Sequence, residues 1–335
     1  MQDECSYDSN SSCCKIRIPK TIGKYDVIKT IGKGSFAVVV LGIDPKTSEK
    51  VAIKILDRYE ITKLGSLLYL ENELRLSSRF DHPNIIKVFD VIYEPDIIMI
   101  VMEYVPSGDL QTLLSRGMEF SNEEQLRIAY EILQGLQYLH QRGISHRDLK
   151  PENIMFDEQF HPKLIDFGLS KENSNVMHTY CGTTFYMAPE IFQTDTYDGM
   201  KADVWAIGVT LNLLNTLHYP WYTTNEYQFM NEMKEGKLEM VIVSTGIIGT
   251  VIKKCLIRDP AQRPTIEELL TLMEENQQIS LSTSSIRLDR NTYPAVSLPK
   301  LIVKNPISFY AKPRKLNEKA FTRKGNIKYR RSLNI

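Results

Sequence analysis

The chain has 335 residues, 42% hydrophobic and 24% charged, an ordinary globular composition that excludes a wholly disordered or fibrous protein. Its 41 Lys plus Arg balance 41 Asp plus Glu, yet from Asn276 onward 13 basic residues face 2 acidic ones, against 28 and 39 in residues 1–275. The acidic body and basic end can attract each other, or the end can seek phosphates elsewhere.

Cys5, Cys13, Cys14, Cys181 and Cys255 are odd in number and share no repeating spacing, so neither a disulfide framework nor a metal-ligand pattern is expected. The first residues lack an apolar core of signal-peptide type, and position 2 is not Gly, which excludes the usual myristoylation pattern. The most apolar later run, Val241 to Ile252, is short and carries Ser, Thr and two Gly, as suits a buried helix or loop rather than a membrane span. A reducing cytoplasmic or nuclear setting is the expectation.

In chain order, residues 1–24 are rich in Ser, Asn, Asp and Cys and are expected to be mobile. From Tyr25, YDVIKTIGKGSFAVVVLGID alternates around a Gly-bearing turn, as a β-hairpin does. Gly32 and Gly34 let backbone N–H groups approach a phosphate with no side chain in the way. GKGSFA also fits a dinucleotide fingerprint, but that turn must open a helix, and the VVVLGI that follows reads as a strand. Val51 to Lys54, VAIK, is a short strand ending in a Lys, and Leu67 to Phe80 has helical periodicity with Glu71 and Glu73. Ile97 to Val105 is a buried strand leading to a polar connector. Asp109 suits the N-cap of the helix DLQTLLSR. Asn122 to Gln141 is a long amphipathic helix with a Ser121–Glu124 capping box and Gly143 as its stop. His140 on it reads as a packed or exposed helix residue.

The chemistry concentrates in ISHRDLKPENIMFDEQFHPKLIDFG, Ile144 to Gly168, where Asp148 and Asp166 sit 18 residues apart. A loop Asp can accept a hydroxyl proton, a Lys two residues on can neutralise a transferring phosphoryl group, and Asn153 with Asp166 offers oxygen ligands to magnesium. HRDLxxxN followed by DFG is specific at this length and order, and on it the chain, over about residues 25–275, resembles a eukaryotic serine/threonine protein kinase. HYPWY and the APE context place it closest to the calcium/calmodulin-dependent and AMP-activated-like group.

The resemblance implies an α+β fold: a small, mostly β N-lobe with one helix over about 25–105 and a larger, mostly α C-lobe over about 106–275. A basic, disordered tail over 276–335 would follow. It implies ATP with magnesium as cofactors and protein substrates with Ser or Thr acceptors, since DLKPEN rather than a tyrosine-kinase sequence follows the catalytic Asp. Asp148 and Lys150 would be catalytic, and Asn153 and Asp166 would hold metal. The nucleotide would be bound by Ile31, Gly32, Lys33, Gly34, Ser35, Phe36, Val39, Ala52, Lys54, Met102 as gatekeeper, Glu103 and Val105 in the hinge, and Asp109 near the ribose. Glu73, counted back from His82, would pair with Lys54, leaving Glu71 solvated. Ala37 departs from the third loop Gly at small cost.

Glu152 and Asp109 hint at basic substrates. Thr183 would pack on the catalytic loop, Glu190 pair with Arg263, and Asp203 bond the loop backbone. Arg147 wants an anion. A phosphorylated Thr179, made by an upstream activating kinase, would supply it with Lys171 as a second ligand, ahead of Ser174 and Tyr180. The rival is an Arg147 that binds a carbonyl or water in a constitutively active enzyme.

Three ideas compete for the tail with its KPRK and RKGNIKYRR clusters: pseudosubstrate, calmodulin-type target, or nuclear localisation signal, with Ser332 as a phosphoacceptor candidate. No nucleic-acid partner and no membrane span are expected. A pseudokinase scaffold is the alternative function, disfavoured because Lys54, Glu73, Asp148, Asn153 and Asp166 are all present. A small-molecule kinase is disfavoured by the APE segment and Arg263.

Overall fold

The computed structural model describes residues 16–33, 37–63, 70, 74–172, 177 and 182–283. Of these, residues 16–107 together with 155–171 build one compact unit, and residues 108–154 together with 172–283 build a second.

The first unit is organised on a six-stranded antiparallel sheet: β1 (Thr21–Ile22), β2 (Tyr25–Lys33), β3 (Ala37–Ile43), β4 (Lys50–Asp57), β5 (Val88–Tyr93) and β6 (Ile97–Glu103), in the order β1-β2-β3-β4-β6-β5. A short helix, α1 (Arg58–Lys63), follows β4. Strand side chains alternate between faces, and both faces of β4 and β6 are covered, so VAIKIL and IIMIVM are continuous apolar runs broken only by Lys54. Val51, Ile53, Ile55, Met99 and Val101 pack on one face with Ile22, Tyr25, Val38 and Val40. Leu56, Ile98 and Ile100 face the other side, under Leu70 and Leu74. Burying a Leu, Ile or Val side chain contributes about 1.5–3 kcal/mol, so these two layers dominate the unit's stability. The helix expected over Leu67 to Phe80 is described only in part: residues 74–77 are helical, with Leu76 fully buried.

The mobile N-terminal segment expected through residue 24 does not hold from residue 16. Ile16 and Ile18 pack against the sheet's core, Ile22 is 2% exposed, and β1 pairs with β2 through Thr21–Asp26 and Ile22–Tyr25. The alternation of Ile16 and Ile18 before Thr21–Ile22 is a short strand-like pattern that the polar composition of the preceding residues obscured.

The second unit is helical: α2 (Leu110–Ser115), α3 (Asn122–His140), α4 (Pro189–Gln193), α5 (Gly199–Thr216), α6 (Glu226–Lys234), α7 (Gly246–Cys255) and α8 (Ile266–Thr283). Ser121 Oγ accepts the Glu124 N–H at 3.2 Å while the Glu124 carboxylate accepts the Ser121 N–H at 2.8 Å, closing the expected capping box on α3. Its buried stripe, Ile128, Ala129, Ile132, Leu133, Leu136 and Leu139, follows helical spacing. Helix α5 is buried almost all round from Ala202 to Leu214, which makes it the unit's central post. It meets α7 where Gly208 faces Cys255: a Cβ at position 208 would lie 2.5 Å from the Cys255 Cβ. Thr265 and Glu268 cap α8 reciprocally, and the helix runs to Thr283, past the domain end expected at 275. Among the described residues no helix is long and apolar enough to cross a membrane.

Candidate active site

In the first unit, Lys54 lies on the β4 face that carries Leu56, in register between Val39 on β3 and Ile100 on β6, and is 4% exposed. Ala52 stands opposite Met102, and Gly32 opposite Val39, so these four predicted nucleotide residues share adjoining rungs of one sheet. Ile31 is 39% exposed on the outer stretch of β2, next to Lys33, which pairs with Val38. Gly34, Ser35, Phe36 and Glu73 lie outside the described residues.

Beyond β6, the Glu103 N–H donates to the Lys87 carbonyl and its carboxylate pairs with Lys163 Nζ at 2.9 Å. Lys163 also donates to the Pro83 carbonyl, so this buried lysine ties the connector to β7 (Pro162–Leu164), the strand before Asp166. Val105 is buried. Asp166 sits at φ 62°, a left-handed backbone that costs a non-Gly residue about 1–3 kcal/mol, and its Oδ1 accepts the Gly168 N–H at 3.3 Å. Phe167, 1% exposed, anchors that turn edge-on to Phe80 with ring centroids 4.9 Å apart.

In the second unit, Asp148 gathers a dense network. Its Oδ2 pairs with Lys150 Nζ at 2.9 Å and accepts from Asn153 Nδ2 at 3.2 Å. Its Oδ1 accepts from the Thr183 N–H at 3.1 Å and the Thr183 hydroxyl at 3.0 Å. Lys150 Nζ in turn donates to Thr183 Oγ1 at 2.9 Å. Asp148, Lys150 and Asn153 are 5%, 1% and 5% exposed, so the charges are held in place with little water to screen them.

The loop beneath is strained and then held. Arg147 has φ 70°, and the buried Asp203 on α5 accepts both the His146 N–H at 2.7 Å and the Arg147 N–H at 2.8 Å. Asp203 Oδ2 also lies 3.0 Å from His140 Nε2, a contact the sequence reading missed because only the fold brings α3 and α5 together at that point. A Cβ on Gly182, at φ 108°, would lie 2.8 Å from the Arg147 carbonyl. Arg147 Nη2 donates to the Tyr197 hydroxyl at 3.2 Å, and Arg147, Asp148, Gly182, Thr183, Tyr197 and Asp203 border a cavity of about 20 Å³, room for about one water. Thr179, with Ser174 and Tyr180, lies outside the described residues.

Two further pieces frame this loop. Arg263, 1% exposed, grips Glu190 with both nitrogens, 2.7 and 3.1 Å, and stacks over Trp205. Asp109 caps α2 by accepting the Thr112 N–H at 2.8 Å. Glu152 stands on the 3-10 turn Pro151–Asn153; burial pushes its carboxyl pKa up, and the charges of Asp148 and Asp109 push the same way against Lys150.

Among the described residues no group of three or more His, Cys, Asp or Glu is placed to hold a metal by itself. Asn153 spends its Nδ2 on the Asp148 carbonyl and carboxylate, so its amide oxygen is the atom it would offer a metal.

A Gly-bearing β-hairpin, a buried strand lysine and a DFG turn in one unit, and an HRDLKPEN loop on a helical scaffold in the other, define a protein kinase. The description of the protein kinase domain matches residues 25–272, and the chain belongs to that family. It is 34% identical over 254 residues to CBL-interacting serine/threonine-protein kinase 18 of Arabidopsis thaliana, covering 74% of this chain and 49% of that one. It is 33% identical over 251 residues to CBL-interacting protein kinase 26 of Oryza sativa subsp. japonica (73% and 51%), and 34% identical over 253 residues to kinase 14 of the Arabidopsis set (74% and 57%). The chain spans about half the length of the curated relatives it matches.

Proposed function

We propose that the chain transfers the γ-phosphoryl group of ATP to serine or threonine hydroxyls of proteins, prefers acceptors with basic neighbours, and gains activity when an upstream kinase phosphorylates Thr179. The observation that carries the reading is the Asp148 network. A carboxylate fixed by Lys150, Asn153 and Thr183 is oriented to take the acceptor hydroxyl's proton without first reorganising. Lys150, buried beside it, supplies positive charge for the phosphoryl group in transit.

Lys54 is assigned to the α and β phosphates with Glu73 as its partner. The backbone of residues 32–36 would cover the phosphates, while Ile31, Val39, Ala52, Met102 and the connector Glu103–Val105 would enclose the adenine. Asn153, through its amide oxygen, and Asp166, through its carboxylate, are the residues that would hold magnesium, whose charge would offset that of the phosphate oxygens. Arg147 is the cation assigned to phosphorylated Thr179. The raised carboxyl of Glu152, Asp109 beside it and the acidic surplus of residues 1–275 support basic substrates. A cytoplasmic or nuclear setting goes with this reading.

The test is transfer from ATP and magnesium to one basic peptide made with Ser, Thr or Tyr as acceptor, using the full chain and a chain ending after Thr283. Transfer to Ser and Thr but not Tyr is expected, with a gain on truncation if the basic end takes the place of the peptide. Equal use of Tyr, or no transfer by either form even after phosphorylation at Thr179, would contradict the reading.

A further inference from the structure

Tyr197 touches three parts of the second unit that transfer needs held together. Its backbone pairs both ways with Met177: the Met177 N–H donates to the Tyr197 carbonyl at 2.8 Å and the Tyr197 N–H to the Met177 carbonyl at 3.0 Å, an isolated antiparallel bridge. Its hydroxyl accepts from Arg147 Nη2 at 3.2 Å. Its chain neighbour Asp198 caps α5 by accepting the Met200 N–H at 2.8 Å and the Lys201 N–H at 3.3 Å, and Asp203 on the same helix clamps the backbone of His146 and Arg147. Tyr197 is 8% exposed and Met177 fully buried, so packed side chains anchor the bridge on both sides. Met177 stands two residues before Thr179.

Arg147 is where such a hold matters most. Its backbone is strained at φ 70°, it directly precedes Asp148, and a guanidinium drawn out of water needs an acceptor. A phenol oxygen accepts a charge-assisted hydrogen bond from a guanidinium but brings no opposite charge, whereas a phosphate brings both and can be bound with two prongs. The Tyr197 hydroxyl is therefore the weaker of two acceptors for the same cation, and its place does not depend on phosphorylation of the segment.

We propose that Tyr197 is a positioning residue: through Arg147 it holds Asp148 in place for transfer while Thr179 is unphosphorylated, and its hydroxyl becomes dispensable once a phosphate on Thr179 takes the guanidinium. The inference rests on the reading of this chain as a kinase activated at Thr179 and deepens it by giving the unphosphorylated form an activity of its own. The full chain, as wild type and as Tyr197→Phe, is prepared in two forms, phosphatase-treated and with phosphothreonine incorporated at position 179, each confirmed by intact mass. All are assayed on one basic serine peptide, with thermal unfolding recorded alongside.

Tyr197→Phe removes one oxygen and keeps both the ring and the backbone bridge to Met177. In the unphosphorylated form it should lose about tenfold in kcat, while KM for ATP and for peptide stay within about twofold and Tm falls by no more than about 3 °C. In the phosphorylated form the loss should shrink to within about twofold. In an Arg147→Ala background the same substitution should cost nothing further, since Tyr197 acts through Arg147. An unchanged kcat in unphosphorylated Tyr197→Phe, a loss of equal size in both forms, or a loss that persists in the Arg147→Ala background would overturn the proposal. An unphosphorylated wild type that transfers nothing while the phosphorylated form is active would also overturn it and leave the kinase reading standing; no transfer by either form would overturn the kinase reading itself.

Discussion

Arg263 offers the sharpest test of what holds the segment around Glu190 to the rest of the helical unit. Its guanidinium donates to both Glu190 oxygens and to the carbonyls of Ile257 (3.0 Å), Lys201 (2.6 Å) and Arg258 (3.2 Å), all with the residue 1% exposed. Arg263→Ala would leave the Glu190 carboxylate, in a residue 5% exposed, without its cation, and three half-buried carbonyls without this donor. Breaking one side of such a pair costs about 3–5 kcal/mol, against a total domain stability of about 5–15 kcal/mol. For a domain of this size that is a fall in Tm of roughly 6–20 °C.

Thermal unfolding followed by circular dichroism, with urea midpoints at constant slope, measures it. Arg263→Lys should fall in between, since it keeps the charge but loses the two-pronged geometry. The double variant Arg263→Met with Glu190→Leu should recover much of the loss, because it removes the stranded charge. A loss below about 1 kcal/mol for Arg263→Ala would refute the claim that this pair anchors the segment.

Asp203→Asn exchanges one of two oxygens that accept backbone N–H for an amide nitrogen that cannot. About 1–3 kcal/mol of stability should go, and phosphotransfer should fall at least tenfold as Arg147 leaves its strained φ; a variant with normal kcat would show that the clamp is dispensable. Gly182→Ala forces a methyl onto the Arg147 carbonyl at a φ of 108°, so turnover should drop more than Tm; the reverse pattern would mean that the glycine serves folding alone. For Glu152 the sign follows from its raised pKa: the folded chain disfavours the charged form, so at neutral pH the carboxylate lowers stability, and the penalty vanishes as pH falls below the ordinary Glu value of 4.5. Glu152→Gln should therefore raise Tm at pH 7, show no gain near pH 4, and weaken the KM for basic peptides. A gain that persists at low pH would remove burial of the charge as its cause.

Much of the site was legible in the sequence because its parts are local in the chain. HRDLKPEN delivers Asp148, Lys150 and Asn153 within six residues, and the structure joins all three in one network. Thr183, Glu190 with Arg263, and Asp203 were placed through the resemblance, and each makes the bond expected of it. What the sequence left dark depends on tertiary approach. His140 reads as one more helix residue until α5 brings Asp203 to it, and Lys163 as a strand residue until Glu103 and Pro83 close round it. Tyr219 sits in a loop, HYPWY, whose aromatic packing no periodicity announces. The kinase-domain match at residues 25–272 follows the expected bounds of 25–275, while ordered backbone extends beyond them at both ends, from Ile16, whose side chain packs on the sheet's core, to Thr283 at the end of α8.

The central claim is that Asp148 serves transfer and not nucleotide binding. Its most direct test compares wild type with Asp148→Asn in two assays on the same preparations: phosphate transfer from ATP and magnesium to a basic serine peptide, and equilibrium binding of ATP. The account predicts transfer reduced by about 10²–10⁴-fold with the Kd for ATP within about twofold. Transfer undiminished in Asp148→Asn, or absent from both proteins while both bind ATP alike, would contradict it.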